Sequence, residues 1–388
     1  MTDRERALLL LRRIERESSF AAPLLQNETG FVRTLVLGVL RWRSRIDHAI
    51  ATLANRRIEK LDPVVVELLR LGLYQLMFMD VAPHAAVNET VDLAGHYAKR
   101  ARGFVNAVLR NATRTKVEPD SVATATAHPQ WLIERWTRVY GAERARKIAE
   151  ADQELSYPDA LSDVKPTNDA EPSTLVDGIW KLRGATPDDT WAMDEGSAVI
   201  AAIAANAGRE VLDLAAAPGS KTLYMRSRGT RVISHDISFA RLRPLIARGG
   251  EVVVGDGRAA PFRRQFDVVL IDAPCSATGT IRKNPELKWR LRENDIAAFP
   301  QLQRELLTAA LSLARHAVIY STCSLEPEEN DEVIDAVLAT QRDFERADIT
   351  GITPDGAKSW AENGVLRLTP ESGADGFTAF LLTRAKVT

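Results

Sequence analysis

Residues 210–222 read Glu210-Val211-Leu212-Asp213-Leu214-Ala215-Ala216-Ala217-Pro218-Gly219-Ser220-Lys221-Thr222. The first five residues are mostly apolar and predict a buried β-strand. The small residues that follow predict a tight loop, and the sequence after the loop is compatible with a helix. A strand, a tight loop and a helix start are typical of the first turn of a doubly wound α/β sheet. Ligands of such sheets bind outside the carboxyl ends of the strands.

The loop also narrows the class of ligand. It lacks the G-x-G-x-x-G pattern, which argues against a dinucleotide, and a P-loop would need Gly where the chain has Ala215 and Ser220. A nucleoside ligand without a phosphate chain, such as S-adenosylmethionine, fits better, because small side chains let it approach the backbone closely. The residues expected to bind this cofactor are Ala215, Ala216, Ala217, Pro218, Gly219, Ser220 and Lys221.

Acidic residues follow three further predicted strands. The strands and their acids are 231–235 before Asp236, 251–254 before Gly255-Asp256, and 266–271 before Asp272. A carboxylate at the end of the second strand can accept hydrogen bonds from both ribose hydroxyls of a nucleoside. We assign that role to Asp236 and expect Asp256 near the adenine. Each acid alone is more typical of a turn or a cap, but their repetition at successive strand ends favours a nucleoside site that includes Asp272.

The two cysteines of the chain each lie where an apolar strand is predicted to end. Cys275 stands in Asp272-Ala273-Pro274-Cys275-Ser276, and Cys323 stands in Ser321-Thr322-Cys323-Ser324. Two thiols at two strand ends of one sheet can face the same crevice, which suggests covalent chemistry. The alternatives are a structural disulfide, which would need an oxidising compartment, and two small buried hydrophobic residues.

Composition and charge describe an ordinary globular protein. Hydrophobic residues make up 45% and charged residues 27% of the chain, and the formal net charge is −1. The length of 388 residues predicts two or three domains. Basic residues outnumber acidic ones in residues 1–116, and the reverse holds in residues 325–376. This distribution is consistent with a nucleic-acid surface on the first third of the chain, or with a solvated helical face.

The sequence shows no feature of an exported or membrane protein. The apolar run at residues 8–11 is too short for the apolar part of a signal peptide, and Arg12-Arg13 interrupts it. No apolar run is long enough to span a bilayer. We therefore expect a cytoplasmic monomer that binds neither a membrane nor a metal ion.

Three regions are expected along the chain. Residues 1–116 predict an all-helical bundle, because apolar residues recur at helical spacing and Asp62-Pro63 is a good helix start. Residues 117–195 form a connector with several prolines, whose stretch 159–177 has no clear pattern. Residues 196–388 alternate strands and helices. The predicted helices of the first two regions cover residues 7–14, 31–42, 64–78, 85–97, 100–114, 131–140 and 143–154.

Several motifs resemble those of the RNA cytosine-5 methyltransferases of the NOL/NOP/Sun group. Residues 213–222, 272–279 and 321–330 are similar to three signature motifs of that group, and residues 284–289 are similar to its bacterial RsmB/Sun branch. Residues 38–42, 71–76 and 104–111 resemble the NusB-type RNA-binding bundle that is fused to those enzymes.

The resemblance implies a fold for each region. Residues 1–116 would form an all-α NusB-like bundle that binds RNA, and residues 117–195 a connector with a small RNA-contacting subdomain. Residues 196–388 would form an α/β Rossmann-like S-adenosylmethionine-dependent methyltransferase domain. The implied substrate is a cytosine in RNA, with small-subunit ribosomal RNA favoured and transfer RNA as the alternative.

The resemblance also implies roles for individual residues. Cys323 would attack carbon 6 of the cytosine and form a covalent adduct, Asp272 would hydrogen-bond ring nitrogen 3, and Cys275 would take part in release. Arg282, Lys283 and Lys288 follow the Cys275 loop. These three residues are candidates for binding RNA phosphates. The alternative is that they belong to a solvated basic loop without that role.

Two rival functions predict different residues at these positions. An amino-directed nucleic-acid methyltransferase would carry Asn/Asp-Pro-Pro-Tyr where this chain has Asp272-Ala273-Pro274-Cys275. A non-catalytic RNA-binding factor in ribosome assembly or antitermination would have lost Cys323, Asp272 or the loop expected to bind the cofactor (residues 215–221, the cofactor loop). All three are present. The chain departs from the family at Ser220, where members usually carry Gly, and at residues 161–164, which lack the usual Arg-x-Asn element.

Overall fold

The computed structural model describes residues 1–184, 186–187 and 189–385, which form two compact units. The helical unit consists of Met1–Glu154 and Ile281–Leu291. The sheet unit consists of Leu155–Thr280 and the chain from Arg292 onward. This division differs from the expected regions, because residues 117–154 group with the bundle and residues 155–195 group with the sheet.

The first part of the chain is helical, as the apolar spacing predicts. Its helices are α1 (Asp3–Glu17), α2 (Ala21–Leu25), α3 (Gly30–Ala54), α4 (Pro63–Phe78), α5 (Pro83–Tyr97), α6 (Arg102–Ala112), α7 (Val122–Ala125), α8 (Gln130–Tyr140) and α9 (Ala142–Ala151). The start of α4 confirms the Asp62-Pro63 prediction, because the Asp62 side chain caps the helix by accepting a hydrogen bond from the Val64 backbone N–H.

The core of the helical unit is built from apolar residues at helical spacing. Leu35, Leu69 and Leu109, from α3, α4 and α6, are fully buried. Gly38 lets α3 approach α4, because a Cβ at this position would lie 1.9 Å from Cζ of Tyr74. A larger residue at position 38 would therefore have to push Tyr74 out of the core.

The sheet unit begins with a small antiparallel sheet, two strands of which lie in the stretch 159–177 that has no clear sequence pattern. Its strands are β1 (Asp159–Leu161), β2 (Glu171–Pro172), β3 (Ile179–Lys181) and β4 (Trp191–Ala192), in the order β2-β3-β1-β4. Strands of two or three residues are too short to show an alternating pattern in the sequence.

The remaining chain alternates strands and helices around a larger sheet. The strands are β5 (Glu210–Asp213), β6 (Arg231–Asp236), β7 (Val252–Val254), β8 (Phe266–Asp272), β9 (Ala314–Thr322), β10 (Phe344–Ala347), β11 (Ala361–Glu362), β12 (Val365–Leu368) and β13 (Phe377–Arg384). The helices are α10 (Glu195–Ala207), α11 (Ser220–Ser227), α12 (Phe239–Ile246), α13 (Leu287–Arg290), α14 (Pro300–Leu313) and α15 (Asp331–Leu338); of these, α13 belongs to the helical unit.

The order of the larger sheet confirms the doubly wound α/β prediction. Its strands run β11-β12-β13-β9-β8-β5-β6-β7, with β10 paired to β13. The five neighbouring strands β9, β8, β5, β6 and β7 are parallel. Strand β13 lies antiparallel beside β9. The chain order reverses between β5 and β8, which creates the crevice where ligands bind in such sheets.

Both faces of the central parallel strand β8 are buried. On β8, Val268 and Leu270 pack with α10, whereas Val269 and Ile271 pack with α14 and α15. Burial on both faces explains why this strand reads as a continuous apolar run in the sequence. Among the described residues, no helix is both long and apolar enough to cross a membrane.

Candidate active site

The loop after β5 lies at the crevice and has small side chains, so its backbone can be approached closely. Gly219 has φ of 113°, and a Cβ at this position would lie 2.7 Å from Cβ of Leu245. Only glycine fits both the left-handed backbone and this close approach. Ser220, the departure from the family pattern, accepts a hydrogen bond of 2.8 Å from the indole N–H of Trp191 on β4. The hydroxyl therefore ties the cofactor loop to the small sheet, a contact that glycine could not make.

Asp213 anchors the loop from beneath. Its side chain is fully buried and accepts a hydrogen bond of 2.7 Å from the Thr222 hydroxyl at the start of α11. Burial raises the pKa of Asp213 to about 7, even though the bond from Thr222 acts in the opposite direction. The buried position indicates a structural role for Asp213 and leaves the exposed rim of the loop to a ligand.

The structure places Asp236 against the cofactor loop. One oxygen of its carboxylate accepts a hydrogen bond of 3.0 Å from the Ala217 backbone N–H, and the other accepts one of 2.8 Å from the Ser238 backbone N–H. Each carboxylate oxygen can accept a second hydrogen bond. Asp236 is therefore oriented by the backbone and keeps acceptor capacity for ligand hydroxyls.

Asp256 is held differently. It forms a 2.6 Å ion pair with Arg258, and hydrogen bonds from the Arg258 side chain and backbone lower the pKa of Asp256 to about 2. Arg258 also contacts Glu305 at 3.1 Å. The carboxylate of Asp256 is thus engaged by a neighbouring cation, and its place near the adenine stays a prediction.

Replacing Asp236 with alanine should weaken binding of S-adenosylmethionine. Loss of a charge-assisted hydrogen bond costs about 1.5–3 kcal/mol, which corresponds to a roughly tenfold to hundredfold lower affinity. Calorimetric titration of Asp236→Ala with the cofactor measures this loss. Asp267→Ala is the control, because Asp267 pairs with Arg315 near the start of β8. An unchanged affinity in Asp236→Ala would remove Asp236 from the cofactor site.

A lysine and a carboxylate meet at the end of β8. The Lys221 ammonium donates hydrogen bonds to Asp272 at 2.6 Å and to the Ser197 hydroxyl at 2.7 Å. The other oxygen of Asp272 accepts a hydrogen bond of 3.2 Å from the Ser321 hydroxyl. Burial disfavours the charge of Lys221, but the Asp272 carboxylate raises the pKa of the ammonium overall. Lys221 therefore stays protonated. The sequence predicts Lys221 only as a cofactor-binding residue, because its contact with Asp272 depends on the tertiary structure.

The two cysteine thiols face each other. Their Sγ atoms are 3.3 Å apart, both side chains are half-buried, and both thiols are free. This separation exceeds the disulfide bond length of about 2.05 Å. The hydrogen bond with Cys323, followed by burial, raises the pKa of the Cys275 thiol well above its ordinary value. Cys323 is also among the groups that interact electrostatically with the Lys221 ammonium.

The three cations predicted to grip RNA belong to the segment Ile281–Leu291 of the helical unit. Lys288 is 1% exposed and Arg282 is 6% exposed. Contact with a phosphate requires an accessible cation, so the structure gives no support to that role for these two residues. Lys283 is half-buried and lines a cavity of about 520 Å³ in the helical unit, so the prediction for Lys283 stays open.

The packing of this segment explains the burial of Lys288. The Trp289 indole N–H donates a 2.6 Å hydrogen bond to the Leu40 carbonyl, and Glu286 accepts one of 2.8 Å from the Ala21 backbone N–H. Burial lowers the pKa of Lys288 to about 7, while nearby Asp152 opposes this shift. Lys288 is therefore a buried residue of the helical unit and not a surface cation.

The sheet order, the open loop after β5 and the oriented acid after β6 define a methyltransferase that uses S-adenosylmethionine. A sequence model described as "16S rRNA methyltransferase RsmB/F" matches residues 200–383, and a NusB family model matches residues 1–114. The chain belongs to the RsmB/F family of methyltransferases and carries a NusB-family domain at its N terminus. The expected fold and cofactor are thereby confirmed.

Curated relatives match along almost the whole chain. "Probable ribosomal RNA small subunit methyltransferase B" of Bacillus subtilis is 30% identical and the match covers 96% of this chain and 97% of the relative. "Ribosomal RNA small subunit methyltransferase B" of Pseudomonas syringae pv. tomato is 33% identical over 90% of this chain and 88% of the relative.

Solved structures share the fold. The crystal structure of PH0851 has a TM-score of 0.75 and 24% identity, and the match covers 98% of this chain and 99% of that one. NSun6 from Pyrococcus horikoshii, solved with SFG, has a TM-score of 0.54 and 18% identity over 66% of this chain and 98% of its own.

Proposed function

We propose that this protein methylates carbon 5 of a cytosine in small-subunit ribosomal RNA through a covalent Cys323–cytosine adduct. The observation that carries the proposal is the pair of free thiols, 3.3 Å apart, beside the Lys221–Asp272 pair at 2.6 Å. Cys275 and Cys323 follow the ends of the adjacent strands β8 and β9. The names of the curated relatives support ribosomal RNA as the substrate class.

The residues at the crevice fit S-adenosylmethionine. The loop from Ala215 to Lys221 offers backbone and small side chains, and Asp236 offers oriented acceptors for ribose hydroxyls. Ile237, next in the chain, is 71% exposed and supplies apolar surface for a base. The bound cofactor would supply an electrophilic methyl group, which the pyrimidine carbon must be activated to accept.

Cys323 provides that activation. Its thiolate bonds to carbon 6 of the cytosine, and the electrons of the carbon 5–carbon 6 double bond make carbon 5 nucleophilic enough to take the methyl group. The attacking form of a cysteine is its thiolate. Solvent water then takes the carbon 5 proton, and the electrons of that carbon–hydrogen bond restore the double bond and expel the Cys323 sulfur. Ring nitrogen 3 returns its added proton to solvent, so the enzyme is released from the methylated base.

Asp272 and Cys275 assist these two halves of the reaction. Asp272, fixed by Lys221 and Ser321, accepts the hydrogen bond of the N–H that forms when ring nitrogen 3 takes a proton from solvent as carbon 6 is attacked. Cys275 lies 3.3 Å from the attacking sulfur, and its raised pKa keeps it as a thiol. It can therefore donate a proton to the Cys323 sulfur as that sulfur leaves carbon 6.

The substrate and the site of methylation can be tested together. Small-subunit ribosomal RNA carrying tritium at carbon 5 of its cytosines should release tritium to water as methyl groups are incorporated, because methylation at carbon 5 displaces that hydrogen. Transfer RNA labelled in the same way is the parallel substrate. Methyl incorporation without tritium release would indicate an amino-directed enzyme, and no incorporation into either RNA would favour a non-catalytic RNA-binding factor. Bisulfite sequencing of RNA from a deletion strain would then identify the nucleotide.

A further inference from the structure

A buried carboxylate connects the loops that carry the two cysteines. Glu329 is 0% exposed. One of its oxygens accepts a hydrogen bond of 2.8 Å from the Ser276 backbone N–H. The other oxygen accepts hydrogen bonds from the hydroxyls of Ser276 and Ser324, the latter at 2.7 Å. Ser276 directly follows Cys275, and Ser324 directly follows Cys323, so one side chain links the residues next to both thiols.

Neighbouring contacts strengthen this connection. Gln303 on α14 donates hydrogen bonds to Glu329 at 3.1 Å and to the carbonyl of Pro274, the residue before Cys275, at 2.8 Å. The Tyr320 hydroxyl on β9 donates a 2.7 Å hydrogen bond to the Glu329 carbonyl. Both the side chain and the backbone of Glu329 are therefore held, and the carboxylate has little freedom to move relative to either loop.

We infer that Glu329 is a positioning residue that sets the spacing of the Cys275 and Cys323 thiols. The inference rests on the proposed function in one respect, that the two thiols act in succession on one base. Glu329 itself is closed off from solvent and so acts through Ser276 and Ser324. Without it, each thiol would still follow its own strand, but no carboxylate would join the two loops to each other.

The reason for a carboxylate at this position lies in the donors around it. The N–H of Ser276 and the side-chain NH2 group of Gln303 only donate, so they require an acceptor oxygen, whereas the two serine hydroxyls can donate or accept. Alanine at position 329 would leave buried donors without acceptors, which the loops can relieve only by moving. Glutamine has the same shape: its oxygen can serve the two obligate donors and its amide can donate to the two hydroxyls.

The spacing of the thiols can be measured without RNA or methyl transfer. Diamide oxidises two neighbouring thiols to a disulfide while its nitrogen–nitrogen double bond is reduced to the hydrazine, and mass spectrometry follows the loss of free thiols in the full-length protein. Because small misplacements of reacting groups cost up to about a hundredfold in rate, Glu329→Ala should close the Cys275–Cys323 disulfide at least about tenfold more slowly. Glu329→Gln should restore the rate to within about threefold of the unchanged protein.

Controls separate positioning from general damage. Glu332→Ala alters an exposed carboxylate on α15 and should leave the oxidation rate unchanged, and cofactor affinity should be retained in every variant. In methyl transfer, Glu329→Ala should lower kcat and leave KM for the cofactor unchanged, with kcat restored in Glu329→Gln. If Glu329→Ala does not fold, the Ser276→Ala/Ser324→Ala double variant, which removes both hydroxyl links, should also slow oxidation.

Two outcomes would overturn the inference. A wild-type oxidation rate in Glu329→Ala, or in the double serine variant, would show that the thiol spacing does not depend on this link. Oxidation in Glu329→Gln as slow as in Glu329→Ala would show that a side chain of the same shape and hydrogen-bonding reach does not restore the spacing, which contradicts positioning through these hydrogen bonds. If the protein without substitutions showed no methyl transfer while the oxidation rates were as expected, the result would count against the proposed function and not against the positioning role of Glu329.

Discussion

Cys323→Ala should abolish methyl transfer, whereas Cys275→Ala should halt turnover at a covalent protein–RNA adduct. Cys323 is the proposed nucleophile, so its loss removes the bond to carbon 6 on which the chemistry depends. Cys275→Ala keeps the nucleophile and removes the thiol 3.3 Å away that assists its departure. Denaturing gels with labelled RNA measure the adduct, and incorporation of labelled methyl groups measures transfer.

The double variant is the control for these two. Its adduct should disappear, because formation of the adduct requires Cys323. Cofactor binding should survive in all three variants, since neither cysteine belongs to the cofactor loop. If Cys323→Ala accumulated the adduct and Cys275→Ala abolished it, the two roles would be exchanged. Full activity in both single variants would reject covalent chemistry altogether.

Asp272→Asn should lower kcat by about a hundredfold or more, the range expected when a group that handles a proton in the transition state is lost. Asparagine keeps the shape of Asp272 but cannot carry the charge that pairs with Lys221 at 2.6 Å. The variant also cannot help place a proton on ring nitrogen 3 as Cys323 attacks. Single-turnover methylation at saturating RNA and cofactor measures the chemical step directly.

Ser197→Ala is the matched control for Asp272→Asn. It removes the other partner of the Lys221 ammonium, at 2.7 Å, and leaves the Asp272 carboxylate in place. Loss of a hydrogen bond to a charged group costs about 1.5–3 kcal/mol, so its effect on kcat should stay below roughly a hundredfold and below that of Asp272→Asn. Equal losses in the two variants would assign the effect to the position of Lys221 and would contradict a proton-handling role for Asp272.

Much of the fold could be predicted from the sequence, because it depends on local patterns. Helical spacing of apolar residues predicted the bundle, and the helices found begin and end within a few residues of most predicted bounds. Apolar runs that end in Asp236 and Asp272 predicted parallel strands with acids at their carboxyl ends, and the structure has both. These signals are readable because burial repeats every 3.6 residues in a helix, and because strands covered on both faces are apolar throughout.

The charge of a segment, by contrast, did not predict whether its side chains reach solvent. Lys288 was expected to meet RNA phosphates, yet it is buried with its ammonium lacking a hydrogen-bond partner among the described residues. Composition shows that a segment is basic, but only the packing of that segment decides whether its charges reach solvent. The segment Ile281–Leu291 packs into the helical unit although the chain on both sides of it belongs to the sheet unit. No local sequence pattern indicates that a segment will pack in a different unit from the residues on either side of it.

The sequence by itself determined the class of fold, the loop after β5 and the positions of the two cysteines, since each depends on contiguous residues. Only the tertiary structure decided which distant side chains meet: Lys221 with Asp272 and Ser197, and Glu329 with the residues that follow both cysteines. Three of these contacts join residues 24 to 53 apart in the chain, and the contact of Glu329 with Ser324 joins residues 5 apart. The order of strands in the sheet brings such residues together, because parallel strands place their carboxyl ends along one edge.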